Sequence, residues 1–145
     1  MFKFIIILNM YPEEIVKPMR EQLTSQGFSE LKSLDDVDNM ISKKGTTLVV
    51  VNSVCGCAAA NARPGAISSL FNEKKPNHLT TVFAGVDREA VEKVRYYLAP
   101  FPPSSPAIAL FKDGELVHML ERHHIEGRSA EIISQNLAGA YNEFC

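Results

Sequence analysis

An α/β domain built on one mixed β-sheet, with helices on both faces, is predicted by three features of the chain. From residue 28 onward, short β-branched runs alternate with amphipathic segments. One run, Thr46–Asn52, is apolar on both faces, as a strand at the centre of a covered sheet is. The last third then breaks the alternation with two adjacent strands and a terminal helix. Parallel crossovers followed by such a hairpin give a mixed sheet covered on both sides.

Each element has a local reason. Residues 12–26 read as a helix with Ile15, Met19 and Leu23 on one face, a kink expected at Pro18 and a stop at Gly27. A short strand over 28–32 follows. Ser33 caps a helix over 34–43, with Asp35 and Asp36 favourably placed in its first turn. After the strand Thr46–Asn52, residues 57–71 form a helix disturbed near Pro64 and Gly65. Leu79–Ala84 is the next strand, and Asp87 caps a helix to Leu98 whose inner face carries Val91, Val94 and Leu98. A proline-rich loop, APFPPSSP, leads to strands 107–112 and 115–121, joined by the hairpin pair Asp113-Gly114. Ser129 caps the last helix, with Ile133, Leu137, Tyr141 and Phe144 inward.

Composition excludes several classes. A chain of 145 residues with 46% hydrophobic and 22% charged residues is one ordinary globular domain. We divide it into an N-terminal extension, 1–11, and a single domain, 12–145. The formal net charge of −2 provides no basic field, so nucleic acid is not an expected partner. The apolar stretch Phe4–Leu8 is too short for a membrane span or a signal-peptide core, and no small-residue cleavage site follows it. It reads as an extra strand, a loose extension, or residues upstream of a translation start at Met10. The three cysteines are an odd number, and two are too close for an ordinary structural cross-link, which points to a reducing, cytoplasmic compartment.

The stretch SVCGCAAANARPG places Cys55 and Cys57 on either side of Gly56. From the residues alone the pair is open to three readings: a redox site, a metal clamp, or small core residues. The order of elements, with the cysteines between the second strand and the following helix, resembles the thioredoxin fold with an extra N-terminal helix. VNSVCGCA, the following ARP, VFAG, SSP before a strand, and ERHHIEG in a chain ending on cysteine together resemble the bacilliredoxins, thioredoxin-like bacterial proteins with a CGC motif.

That resemblance implies a cytoplasmic thiol–disulfide oxidoreductase that needs no cofactor and no metal and removes the small thiol bacillithiol from mixed disulfides on proteins. Its partners would be those proteins, the small thiol and a reductase. It also implies Pro106 as the cis-proline that opens the fourth strand, with Ser105 beside it offering backbone groups to a substrate. Cys55, at a helix N-terminus, is the expected attacker, because that position lowers a thiol pKa from about 8.5. Cys57 is expected inside the first turn and more covered. Gly56 is expected to supply an unusual backbone angle that lets so close a pair bridge. Val49 stands where thioredoxin has a buried acid, which favours one-thiol chemistry over dithiol reduction. The returning strand should bring Arg122, His123, His124 and Gly127 to the CGC turn, where a cation meets a thiolate or a small thiol's carboxylates; otherwise each is a solvated polar residue. Cys145 should lie some 20 Å away at the end of the last helix. The alternatives are a disulfide isomerase or oxidase working through a strained CxC disulfide, a zinc or Cu(I) site of the two thiolates with His123 or His124, and a binding domain with inert core cysteines.

Overall fold

The computed structural model describes residues 11–145, so the N-terminal extension, apart from Tyr11, lies outside the described residues. Helix α1 (Glu13–Thr24) ends where Gly27 takes φ +94° and the Phe28 N–H returns to the Leu23 carbonyl. A two-residue strand β1 (Ser29–Glu30) and helix α2 (Leu34–Ile41) follow, with the Ser33 hydroxyl accepting from the Asp36 N–H as its sequence position implied. Strand β2 (Thr46–Asn52) is buried along its whole length. It runs through the CGC turn into a π-helical turn (Ala58–Ala62) and helix α3 (Arg63–Ser69). Then come β3 (His78–Phe83), α4 (Arg88–Leu98), the hairpin β4 (Ala107–Lys112) and β5 (Glu115–Leu120), the short α5 (Arg122–Ile125) and the terminal α6 (Ala130–Phe144).

The strands lie in the order β1-β3-β2-β4-β5. β2 is parallel to β3 and antiparallel to β4, so it is the seam of the mixed sheet. Its alternate residues feed two cores. Leu48 and Val50, with Ile108 and Leu110, face α1, α3 and α6 through Leu23, Ala62, Ala66, Ile133, Leu137 and Tyr141. Val49 and Val51, with Ala109 and Phe111, face α2 and α4 through Val37, Ile41, Ala90 and Val94. The hairpin turns on Asp113 and Gly114, both at positive φ, as its Asp-Gly pair implied. No described helix is long and apolar enough to cross a membrane.

Three local expectations are corrected. The disturbance of the helix after CGC takes the form of a π-helical turn before Pro64; the α-helix proper starts at Arg63 and runs through both Pro64 and Gly65. Proline has no N–H to give back along the helix, so a wider turn just before it costs little. Gly65 sits where a Cβ would come within 2.6 Å of Ile133 Cγ2, so its lack of a side chain lets α3 and α6 approach closely. In α1 the inward face is Val16, Arg20 and Leu23, whereas Ile15 is half exposed, and the helix runs on through Pro18.

Arg20 explains both the rotation of α1 and the third correction. Its guanidinium lies inside, donating through Nη1 and Nη2 to Asp87 at 2.9 Å, to Glu30 at 2.8 Å, and through Nε to Glu13 at 3.0 Å. Asp87 precedes α4 but does not cap it through its side chain. Its carboxylate is taken by Arg20 and by the Phe83 N–H. One buried cation thus ties α1, the β1 edge and the start of α4. Arg20→Met leaves the Asp87 carboxylate buried without its cation and is expected to cost about 3–5 kcal/mol, read as a lower urea midpoint; a midpoint equal to wild type would contradict the tie.

Candidate thiol site

β2 ends in Asn52, and the chain turns at Ser53 and Val54 to present Cys55 before a helical turn. The Cys55 carbonyl accepts from the N–H groups of Ala58 and Ala59, so Gly56 and Cys57 form the first turn, as the sequence implied. Cys55 Sγ and Cys57 Sγ lie 2.7 Å apart as free thiols. Gly56 is exposed, and an added Cβ there would meet nothing within 4 Å. Its φ is not positive, contrary to the expected unusual angle, because an ordinary helical turn already brings the two sulfurs together.

Both thiols are half-buried, and contrary to expectation Cys57 is not the more covered of the two. Hydrogen bonding separates them instead. Burial works to raise Cys55, but the Cys57 thiol, the Ser53 hydroxyl and the Ala58 and Cys57 N–H groups stabilise its anion, and its pKa ends below that of an ordinary thiol. Cys57 is pushed up by burial, by acting as donor to Cys55 and by the adjacent negative charge, with Arg122 opposing. Either sulfur could donate across the contact between them; the opposite pKa directions favour the anion on Cys55 and the proton on Cys57.

Arg122, at the start of α5, is bonded to the proline loop. Its Nη1 donates to the Ser105 carbonyl at 3.2 Å and its backbone N–H to Ser104 Oγ at 3.3 Å. Glu126 on the same helix raises its basicity, and so do the fields of Cys57 and Cys55. The Ser105–Pro106 peptide bond is cis, as the resemblance implied, with Pro106 buried and Ser105 half-buried. Arg122 and the proline loop are thus joined, and the charge of Arg122 acts on the two thiols. The histidines have partners on Glu121. His124 Nδ1 accepts from the Glu121 N–H at 3.0 Å, and His123 Nε2 lies 3.8 Å from Glu121. Gly127, at φ +78°, ends this short helix.

That geometry bears on the metal alternative. Among the described residues the one group with metal-ligand spacing is Glu121, His123 and His124, and it contains no cysteine. A backbone N–H occupies the Nδ1 lone pair of His124, which puts the proton of the neutral ring on Nε2 and leaves no free nitrogen for an ion. Cys145 is also where the helix length placed it: its Sγ contacts Thr46 Oγ1 at 3.5 Å, at the opposite end of β2 from the CGC turn.

The sequence reading missed Arg63. It is only 3% exposed, yet charged. Nε donates to Gln22 Oε1 at 2.7 Å, and Nη1 to Asn52 Oδ1 at 2.8 Å and the Ser53 carbonyl at 2.9 Å. Asn52 accepts in turn from the Ser53 N–H and donates to the Met19 carbonyl, while Ser53 Oγ accepts from the Cys55 N–H. The signal was a lone charge among small residues in AAANARPGA, two helical turns after the cysteines.

Comparison with known proteins agrees with this architecture. The oxidised thioredoxin of Plasmodium falciparum superposes with a TM-score of 0.56 at 19% identity, covering 79% of this chain and 98% of that one. Mitochondrial thioredoxin 3 of Saccharomyces cerevisiae gives 0.56 at 15% identity, over 84% and 98% of the two chains. The fold is thioredoxin-like, and together with the relatives below it defines the class as a thiol–disulfide oxidoreductase. Residues 11–145 match the family model described as "Disulphide isomerase". The bacilliredoxin of Cytophaga hutchinsonii is 58% identical over 134 residues, 92% of this chain and 99% of that protein. A bacilliredoxin of Halalkalibacterium halodurans is 56% identical over 136 residues, 93% and 94% of the two. The chain belongs to the bacilliredoxin family.

The thiol asymmetry has a pH signature. In a Cys57→Ser, Cys145→Ser variant, whose serine keeps a hydroxyl donor beside Cys55, alkylation by iodoacetamide should be governed by the lowered Cys55 pKa. The rate rises with pH through that value, where thiolate forms, and levels off below the ordinary thiol range. A profile still rising through that range would show that the hydrogen bonds do not stabilise the anion.

Proposed function

We propose that this protein removes bacillithiol, or a small thiol like it, from mixed disulfides on cytoplasmic proteins, with Cys55 as the attacking thiolate. The Cys55 sulfur attacks the small-thiol sulfur; a Cys55–small-thiol disulfide forms and the substrate protein leaves as a thiolate. Cys57 can then attack Cys55 Sγ, releasing the small thiol and leaving a Cys55–Cys57 disulfide. A reductase, or further small thiol, returns that disulfide to the dithiol. The observation that carries this reading is the pair of opposite pKa directions on two touching thiols, an acidic nucleophile beside a proton-holding partner.

The other site residues take roles consistent with that chemistry. Gly56 leaves room for the incoming sulfur, and Ser105 and Pro106 form the wall on which a substrate strand lies. Arg122 offers an exposed guanidinium to the thiolates and to carboxylates of the small thiol. His123 and His124, tied to Glu121, stand at the rim and would touch only the larger substrate protein. Val49, fully buried among Val82, Val94 and Phe111, supplies no acid to deprotonate Cys57, which favours the one-thiol route. A disulfide isomerase is the second reading, favoured by the description of the matching family model.

Intact mass spectrometry after exposure to a protein–bacillithiol mixed disulfide tests the assignment. Cys55→Ser should abolish transfer. Cys57→Ser should still accept the small thiol and retain it as a stable adduct on Cys55, because the intramolecular escape is gone. Normal turnover by Cys55→Ser would reverse the roles. Reshuffling of a scrambled protein by wild type, without small-thiol transfer, would select the isomerase. In the same assay Arg122→Ala should slow transfer by about tenfold through the loss of one charge-assisted contact; an unchanged rate would remove Arg122 from the site.

A further inference from the structure

We propose that Arg63 is the buried counter-charge of the Cys55 thiolate, and that by favouring the reduced state it makes the Cys55–Cys57 disulfide more oxidising; this rests on the reading of Cys55 as the nucleophile. Arg63 is buried, yet no carboxylate lies within ion-pair distance of it; the ion pairs among the described residues involve Lys17, Arg20, Lys93, Arg122 and His123. Its hydrogen-bond partners, Gln22, Asn52 and the Ser53 carbonyl, are all neutral. A guanidinium does not shed its proton at neutral pH, so its charge persists in this desolvated place. Its Nη1 bonds the Ser53 carbonyl, Ser53 Oγ accepts from the Cys55 N–H, and among the described residues the Cys55 thiolate is the anion whose field acts on it.

The titratable and charged groups around Cys55 are few. Cys57 comes from its own turn, and the Cys55 charge in turn acts on Arg63 of α3 and Arg122 of α5. Arg122 is exposed and occupied by Glu126, so solvent and salt weaken its field. Arg63 is screened much less. It also acts indirectly: it holds Asn52 Oδ1 and the Ser53 carbonyl, and so fixes the hydroxyl that stabilises the Cys55 anion. Arg63, buried and bonded to Gln22, Asn52 and Ser53, is thus a positioning residue.

The redox consequence follows from charge. With glutathione disulfide as oxidant, the Cys55 thiolate attacks one glutathione sulfur and expels a glutathione thiolate. The Cys57 thiol then gives up its proton and displaces the second glutathione, which leaves as the thiol. Two electrons pass from the protein dithiol to glutathione disulfide, and the protein keeps a neutral disulfide. Arg63 then retains only neutral partners. The reduced form is the one it stabilises, and a stabilised reduced form makes a stronger oxidant.

Arg63→Met, in full-length chains, tests this with two readouts. In the Cys57→Ser, Cys145→Ser background, the midpoint of the iodoacetamide pH profile should rise, with the thiolate fraction falling about tenfold at pH values below it. In the Cys145→Ser background, the equilibrium with a glutathione couple should move about tenfold towards the protein disulfide, ~30 mV more reducing. A folded Arg63→Met protein in which either quantity stays at its reference value overturns the proposal. If that variant does not fold, the charge is read with Arg63 in place: in ¹⁵N-labelled Cys57→Ser, Cys145→Ser protein, the Arg63 Nε–H resonance should titrate with the Cys55 midpoint, and a flat resonance overturns the proposal. Failure of the functional reading looks different, because Cys55 would then accept no small thiol at all; a reactive Cys55 indifferent to Arg63 sinks only the counter-charge.

Discussion

A guanidinium taken out of water with no carboxylate beside it carries a desolvation cost of several kcal/mol, and Arg63 is such a group. Its position is specified by three neutral acceptors drawn from two elements: Gln22 in α1, and Asn52 and Ser53 at the end of β2. α3, the central strand and the N-terminal helix therefore meet at one cation bonded to the residues that lead into the CGC turn. Moving any of the three leaves a buried polar group unsatisfied, so the turn that presents Cys55 cannot drift independently of the sheet.

The N-terminal helix takes on a role through this contact. It is more than a lid on the core, because its Met19 carbonyl accepts from Asn52 and its Gln22 accepts from Arg63. The opposite side of the same helix is held by Arg20, whose carboxylate partners come from α1 itself, β1 and the start of α4. Two buried arginines on adjacent helices thus divide the work. Arg20 is fully paired with carboxylates and serves the architecture. Arg63 is paired with dipoles alone and leaves its charge for the thiols.

Around the cysteines, adjacency in sequence and adjacency in chemistry part company. Arg122, His123 and His124 are consecutive, yet Arg122 bonds the proline loop while the histidine rings turn to Glu121. The histidines are spent on the end of α5, where the His124 ring accepts from the Glu121 N–H and closes a capping box. A helical turn rotates successive side chains by about 100°, so three neighbours cannot all face one sulfur.

What the sequence determined by itself is the part that depends on local pattern. The β2 run Thr46–Asn52, the Ser33 and Ser129 caps, the Asp113-Gly114 turn and the inner face of α6 are legible because each rests on residues a few positions apart. So is the placing of Cys55 before a helical turn, and the position of Pro106 at the head of β4. The tertiary structure alone decided which groups share the space beneath and beside those thiols. Ile15 lost its inward place to Arg20, and Asp87 its cap, to partners up to 67 residues away. Arg63 found Gln22 41 positions earlier. Burial raises both Cys55 and Cys57, and the two part because hydrogen bonds overcome it at Cys55 and add to it at Cys57. Periodicity reports which face of an element is apolar; it carries no information about which distant polar group a buried charge will meet, because that is set by how the elements pack.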